Sequence, residues 1–285
     1  MDFDLKSPVE DESVSEFNHH MLLFALGLAG MFIFPIIFAV ILVLFLPNTD
    51  SELLNYLAYF LGYGTYIGVL AYFLKKDKIK KILKGINLNN FIVAIIFTII
   101  LFLSSLFVST ILTLIFGDGL GNSNQGTLEK SLLNYPVVIF VFTVIVAPIV
   151  EELVFRFSIF RPLSKNNRVL AYIVTVLFFA GIHFISSFGE LAINIEELGK
   201  EKAYSLLFED FKTLPIYIVG AFVLTLSYDI NKNISTNIMI HMFYNGLQLM
   251  LMIANIDQLV DKYQSSSLVF LNFNELKNII YLIGI

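Results

Sequence analysis

The chain has no cysteine and no tryptophan among its 285 residues, and it is poor in charge. Without cysteine there is no disulfide framework, no thiolate nucleophile and no Cys-based metal site. Without tryptophan, an aromatic belt at a membrane surface must come from the 13 Tyr and 29 Phe. Only 14% of the residues are charged, where soluble domains run near about a quarter, and 57% are hydrophobic. So apolar a chain cannot cover itself with polar surface, which excludes an ordinary soluble domain. The formal charge of −5 argues against nucleic acid as a partner. The first 18 residues are acidic where a signal peptide would be basic, so they read as a solvated tail.

What is present is a series of apolar runs, each long enough to cross a bilayer at about 20 residues per span. They cover about Met21 to Leu46, Leu53 to Leu74, Phe91 to Phe116, Tyr135 towards Pro162, Val169 to Phe188, Leu214 to Tyr228 and Ile234 to Ala254. An eighth, Ser266 to Ile285, is interrupted by Asn272, Asn274, Glu275 and Lys277 and either spans or lies in the interface. An acidic loop of about two dozen residues is expected after Phe188. Orientation follows from lysine and arginine. With the amino terminus cytoplasmic, Lys6, the run Lys75 to Lys84, Arg156, Arg161, Lys165, Arg168 and Lys232 lie inside. Lys130, Lys200, Lys202, Lys212 and Lys262 lie outside. That distribution obeys the positive-inside rule. The expected fold is an all-α, polytopic transmembrane helix bundle of about eight spans, multi-pass in the cell membrane. Its parts are an acidic cytoplasmic tail (1–20), amino-terminal transmembrane helices (21–128), a core that holds the chemistry-bearing residues (129–254) and a carboxy-terminal helix (255–285).

Ionisable groups inside spans stand out against this background. Each charge at the bilayer centre costs about 2.5–3.5 kcal/mol on the insertion scale, so Glu151 and Glu152 must face the bundle interior or a wet cavity. Glu152 and Arg156 are four residues apart and share a helix face, so they can pair; Glu151 points about 100° away. Pro148 removes a backbone donor and is expected to free the carbonyl of Val144 and bend the helix. Counted from the turn at Lys165 to Arg168, Glu151 and His183 lie at the same depth, each about 24 Å from the tip. His241 and Asn245 share a face of the seventh span. Each group also has a plainer reading. A Glu-Glu-Arg cluster can lock helices together, and a membrane histidine or asparagine can serve as an interhelical hydrogen bond.

Three motifs stand in order within the core: Glu151-Glu152-Leu153-Val154-Phe155-Arg156, Phe179-Ala180-Gly181-Ile182-His183 and His241-Met242-Phe243-Tyr244-Asn245. They resemble the EExxxR, FxxxH and HxxxN motifs of the CPBP family, the type 2 CAAX prenyl endopeptidases and bacteriocin-processing proteins, over about residues 130 to 250. The resemblance implies an intramembrane endopeptidase acting on hydrophobic or lipidated peptide substrates. In it Glu151 and His183 would activate a water, His241 and Asn245 would donate hydrogen bonds to the oxyanion, and Glu152 and Arg156 would shape the site. It also offers a zinc alternative with Glu151, His183 and His241 as ligands. There is no HExxH, and Asn245 suits an oxyanion better than a metal, so the expectation is a cofactor-free glutamate mechanism. A non-catalytic bacteriocin-immunity or partner-binding protein, and a proton-coupled transporter, are the competing readings.

Overall fold

A segment that crosses a bilayer must satisfy its own backbone groups, and a helix does so entirely with internal bonds. The computed structural model describes residues 14–74, 85–117 and 120–264, and every regular element among them is helical. The first apolar run forms α1 (Val14–Leu28) and α2 (Phe34–Phe45), joined by a π-helical turn just ahead of Pro35. Asp50 accepts the N–H groups of Glu52 and Leu53 and so starts α3 (Ser51–Phe73). Asn87 does the same for α4 (Leu88–Phe116), which Gly117 ends at φ +87°. A short polar helix, α5 (Ser123–Asn134), is capped by Asn122.

The central path runs from Pro136 to Asn166. It comprises α6 (Pro136–Phe140), a π-helical turn at Val141–Val146, α7 (Ala147–Glu152), a second π-helical stretch at Leu153–Phe160, and α8 (Arg161–Asn166). Every residue of Leu153–Phe160 is buried. A helix buried on all sides is the mark of a bundle centre. Around it lie α1, α9 (Arg168–Ile182), α12 (Leu214–Asn231) and α13 (Ile234–Ala254). Between α9 and α12 the chain forms α10 (Ile185–Leu198) and α11 (Lys200–Phe211), and it closes with α14 (Ile256–Gln264).

Six helical paths are long and apolar enough to cross a membrane, or seven if α9 and α10 are one span broken by a 46° bend. The eighth run, Ser266 to Ile285, lies outside the described residues, as do residues 1–13 of the acidic tail and the lysine run at 75–84. Two expectations are corrected. The fifth run is not one helix to Phe188: it stops at Ile182, and His183 and Phe184 take up ψ values of −8° and 6° before α10 begins. Nor is the acidic stretch a loop, because it is helical through α10 and α11 with a break at Gly199. Its charge obscured a helical spacing of apolar residues (Ile185, Phe188, Leu191, Ile195 and Leu198) three or four apart.

Candidate active site

Glu152 is fully buried and accepts three hydrogen bonds. Arg156 Nη1 donates to Oε1 at 2.9 Å from one helical turn below. His241 Nδ1 lies 2.9 Å from the same oxygen, and Asn237 Nδ2 donates to Oε2 at 2.6 Å. The arginine, also fully buried, donates from Nη2 to the carbonyl of Ala221 at 3.2 Å and stacks over the Phe179 ring at 4.3 Å. Three donors facing one carboxylate suit the charged form, and the guanidinium supplies the matching charge. A carboxylate only accepts, so His241 Nδ1 carries a proton here, and in the corresponding neutral tautomer Nε2 is a lone pair.

That lone pair faces Glu151. Its Oε2 lies 3.7 Å from His241 Nε2, beyond a direct hydrogen bond. A water placed about 2.8 Å from each, the usual O–H···O distance, would close a triangle with the two groups. The imidazole of His241 therefore stands between two glutamates, hydrogen-bonded to Glu152 and open towards Glu151. The depth count had set Glu151 opposite His183, but its imidazole neighbour is His241. Eight of the residues counted between Glu151 and the turn are π-helical. Such turns hold an extra residue, which changes both rise and facing.

His183 occupies the break between α9 and α10. Its Nδ1 lies 2.9 Å from the carbonyl of Phe179, which can only accept, so Nδ1 again carries the proton. The ring sits 5.2 Å from that of Phe179 and 4.6 Å from that of Tyr217. Phe179 is also 5.8 Å from the His241 ring. One phenyl ring thus touches both imidazoles and the guanidinium, and the three motifs meet around it.

Asn245 donates from Nδ2 to the carbonyl of Thr143 at 2.8 Å. The reason lies in the π register of Val141–Val146, where Ala147 N–H bonds Phe142, five residues back. In that register the donor owed to Thr143 is residue 148, and Pro148 has none. The carbonyl freed by the proline is therefore that of Thr143 rather than Val144, and Asn245 satisfies it. One amide proton of Asn245 stays uncommitted to that bond.

Sequence reasoning missed Asn237. It is fully buried, donates also to the Leu224 carbonyl at 3.0 Å and accepts from Ser227 Oγ, which ties α12 and α13 to Glu152. The signal was available, since Asn237 precedes His241 by four and shares its face. Among the described residues no three carboxylate or imidazole groups converge as a metal would need.

Comparison with known proteins points to one family. The model of the type II CAAX prenyl endopeptidase Rce1-like family matches residues 133–247, which contain all three motifs. The chain is 28% identical over 166 residues to the membrane-embedded CAAX protease MroQ of Staphylococcus aureus, covering 57% of this chain and 58% of that one. It is 27% identical over 193 residues to an uncharacterised protein of Mycoplasma capricolum, covering 64% and 49%. It is 28% identical over 151 residues to the UPF0177 protein YvdC of Lactococcus lactis, covering 52% and 49%. The matches thus span about half the length of these curated relatives. No solved structure matches. Residues 133–247, which carry the three motifs, are thus similar to the CAAX-type membrane proteases.

Proposed function

We propose that the chain is an intramembrane endopeptidase that hydrolyses a peptide bond of a hydrophobic or membrane-associated substrate with a water held at Glu151. The observation that supports this most is the line Glu152–His241–Glu151, with contacts of 2.9 and 3.7 Å, buried in the centre of the bundle. The carboxylate of Glu151 accepts a proton from the water, and its oxygen attacks the scissile carbonyl. The carboxyl of Glu151 then returns that proton to the departing amine nitrogen, so atoms and charge balance over the cycle. His241 Nε2 accepts the second hydrogen of the water and fixes its direction. Glu152 and Asn237 hold that ring in the tautomer this requires. The spare amide proton of Asn245 donates to the oxyanion in this reading, and His183 acts beside it across the Phe179 ring. No step is routed through a metal.

The test is cleavage of hydrophobic peptides by purified protein. Glu151→Ala should lower the rate by about 10²–10⁴-fold, the range for loss of a positioned base, with His241→Ala and His183→Ala also inactive but folded. Asn245→Ala should retain more activity than Glu151→Ala, since one oxyanion donor contributes about 10²–10³-fold. EDTA should change little. Full activity in Glu151→Ala, or chelator inhibition reversed by zinc, would sink the mechanism.

A further inference from the structure

On the end of the bundle read as outward-facing, a cleft of about 100 Å³ opens between α5, α10 and α11. Glu190 and Asp210 both reach into it and converge on one hydroxyl. Ser123 Oγ lies 2.9 Å from Glu190 Oε2 and 2.6 Å from Asp210 Oδ2, and Ser123 N–H donates to Asp210 at 3.3 Å. A hydroxyl has one proton to donate, so it can serve only one of the two carboxylates. A second, independent feature points the same way. Ser187 lines this cleft, is 3% exposed, and its Oγ has no hydrogen-bond partner. A serine in a helix usually gives its hydroxyl to the carbonyl four residues back, and here it does not. A buried polar atom left unmatched costs about 1–3 kcal/mol, which makes it a place where a ligand gains.

The unmet groups define the ligand. Two carboxylates ask for positive charge, and the Ser187 hydroxyl among the lining residues is a further polar group without a partner. An ammonium carries that charge and donates three hydrogen bonds while accepting none, which suits a site made of carboxylates. The remaining wall is apolar, from Leu191, Leu206 and Leu207, and suits a methylene stem beneath a charged head. The space exceeds several times the roughly 30 Å³ that one water occupies in the liquid. A bare calcium ion would want six to eight oxygen ligands, and among the described residues no cluster of three acidic or histidine groups supplies a core for them.

We propose that this cleft binds the ammonium group of a lysine side chain on a polypeptide, and, resting on the endopeptidase reading above, that this polypeptide is the substrate. Ser187 lies four residues after His183, in the first turn of the helix beyond the break. A lysine held here would therefore anchor the part of the substrate that leaves the membrane next to the site.

The probe is Nα-acetyl-lysine amide, with Nα-acetyl-norleucine amide as its uncharged counterpart. Binding to the purified full-length protein is followed by ligand-observed NMR. The lysine probe should bind at least tenfold more tightly than the norleucine probe. Glu190→Gln and Asp210→Asn should each weaken it tenfold or more, and Ser187→Ala about threefold. Glu151→Ala should bind the probe unchanged, so a failed protease assay and a failed binding assay are separable. Equal binding of the two probes, or no effect of Glu190→Gln, would overturn the proposal. So would displacement of the lysine probe by calcium or phosphoethanolamine at lower concentration than by lysine amide itself. The first would make the cleft a metal site and the second a lipid-headgroup site. Where cleavage is measurable, replacing an outward lysine of the peptide by norleucine should raise KM and leave kcat unchanged.

Discussion

Glu151 and Glu152 are adjacent in sequence and opposite in circumstance. Glu152 and Arg156 are both fully buried and bonded at 2.9 Å, so removing one partner strands a charge. Such a break costs about 3–5 kcal/mol. Arg156→Leu should therefore lower stability in detergent by about that amount, read from a denaturation midpoint. Glu151→Gln should leave the fold within about 0.5 kcal/mol of the parent and abolish cleavage, because no bond to Glu152 is disturbed. Equal destabilisation by both variants would deny them different tasks. The Glu152–Arg156 pair could be foreseen from its spacing of four. The neighbour of Glu151 could not, because a residue count at 1.5 Å per step does not hold through eight π-helical residues. Asn237 could be placed on the face of His241 by its spacing, but not against Glu152, which lies 85 residues away in the chain.

Helices of this bundle approach most closely where glycines face each other. A Cβ built on Gly62 would lie 2.6 Å from Pro35 Cδ and 2.9 Å from the carbonyl of Gly30, so α3 and the α1–α2 path would have to separate. Gly62→Ala should cost about 1–3 kcal/mol of stability, as overpacking does elsewhere. Gly64→Ala, with nothing within 4 Å of the added atom, is the matched control and should be nearly silent. A second contact between elements is polar. Glu129 on α5 accepts from Lys262 Nζ at 2.6 Å and Tyr263 Oη at 2.9 Å on α14, with Gln125 at 3.0 Å. Burial pushes this carboxyl up, but the bonds from Lys262 and Tyr263 outweigh it and hold it below the ordinary carboxylate range. A lowered pKa stabilises the folded form above the unfolded value, and that contribution is lost as pH falls through the folded one. Amide exchange across α14 should therefore rise on acidification below about pH 4, near the ordinary glutamate value. Glu129→Gln should remove that pH dependence. The existence of the helices was legible from apolar runs, whereas α10 and α11 were not, because a net acidic stretch reads as solvated until its apolar spacing is counted.

At the scale of the whole molecule, the direction in which the bundle sits decides which side a substrate can approach from. Six or seven helical paths are long and apolar enough to cross, and by the sequence reading twelve of the eighteen basic residues are assigned inside against five outside. At the end read as inside, Asp229, almost wholly buried, binds Lys232 at 2.5 Å, Arg168 Nε at 2.6 Å and Tyr172 Oη at 2.9 Å, which fastens α9 to α12. The opposite end carries Glu190, Glu196, Glu197, Glu201, Glu209 and Asp210 on α10 and α11. Acidic residues count little in setting topology, so this face does not decide the orientation. Because the chain has no cysteine, one introduced thiol reports one position without background. Asn166→Cys at the end of α8 and Ser205→Cys on α11, both exposed, mark the two ends. A membrane-impermeant maleimide applied to intact cells should label Ser205→Cys at once and Asn166→Cys only after permeabilisation. The reverse pattern would place the acidic helices in the cytoplasm, and a lysine presented from outside could then not reach the cleft beside Ser187.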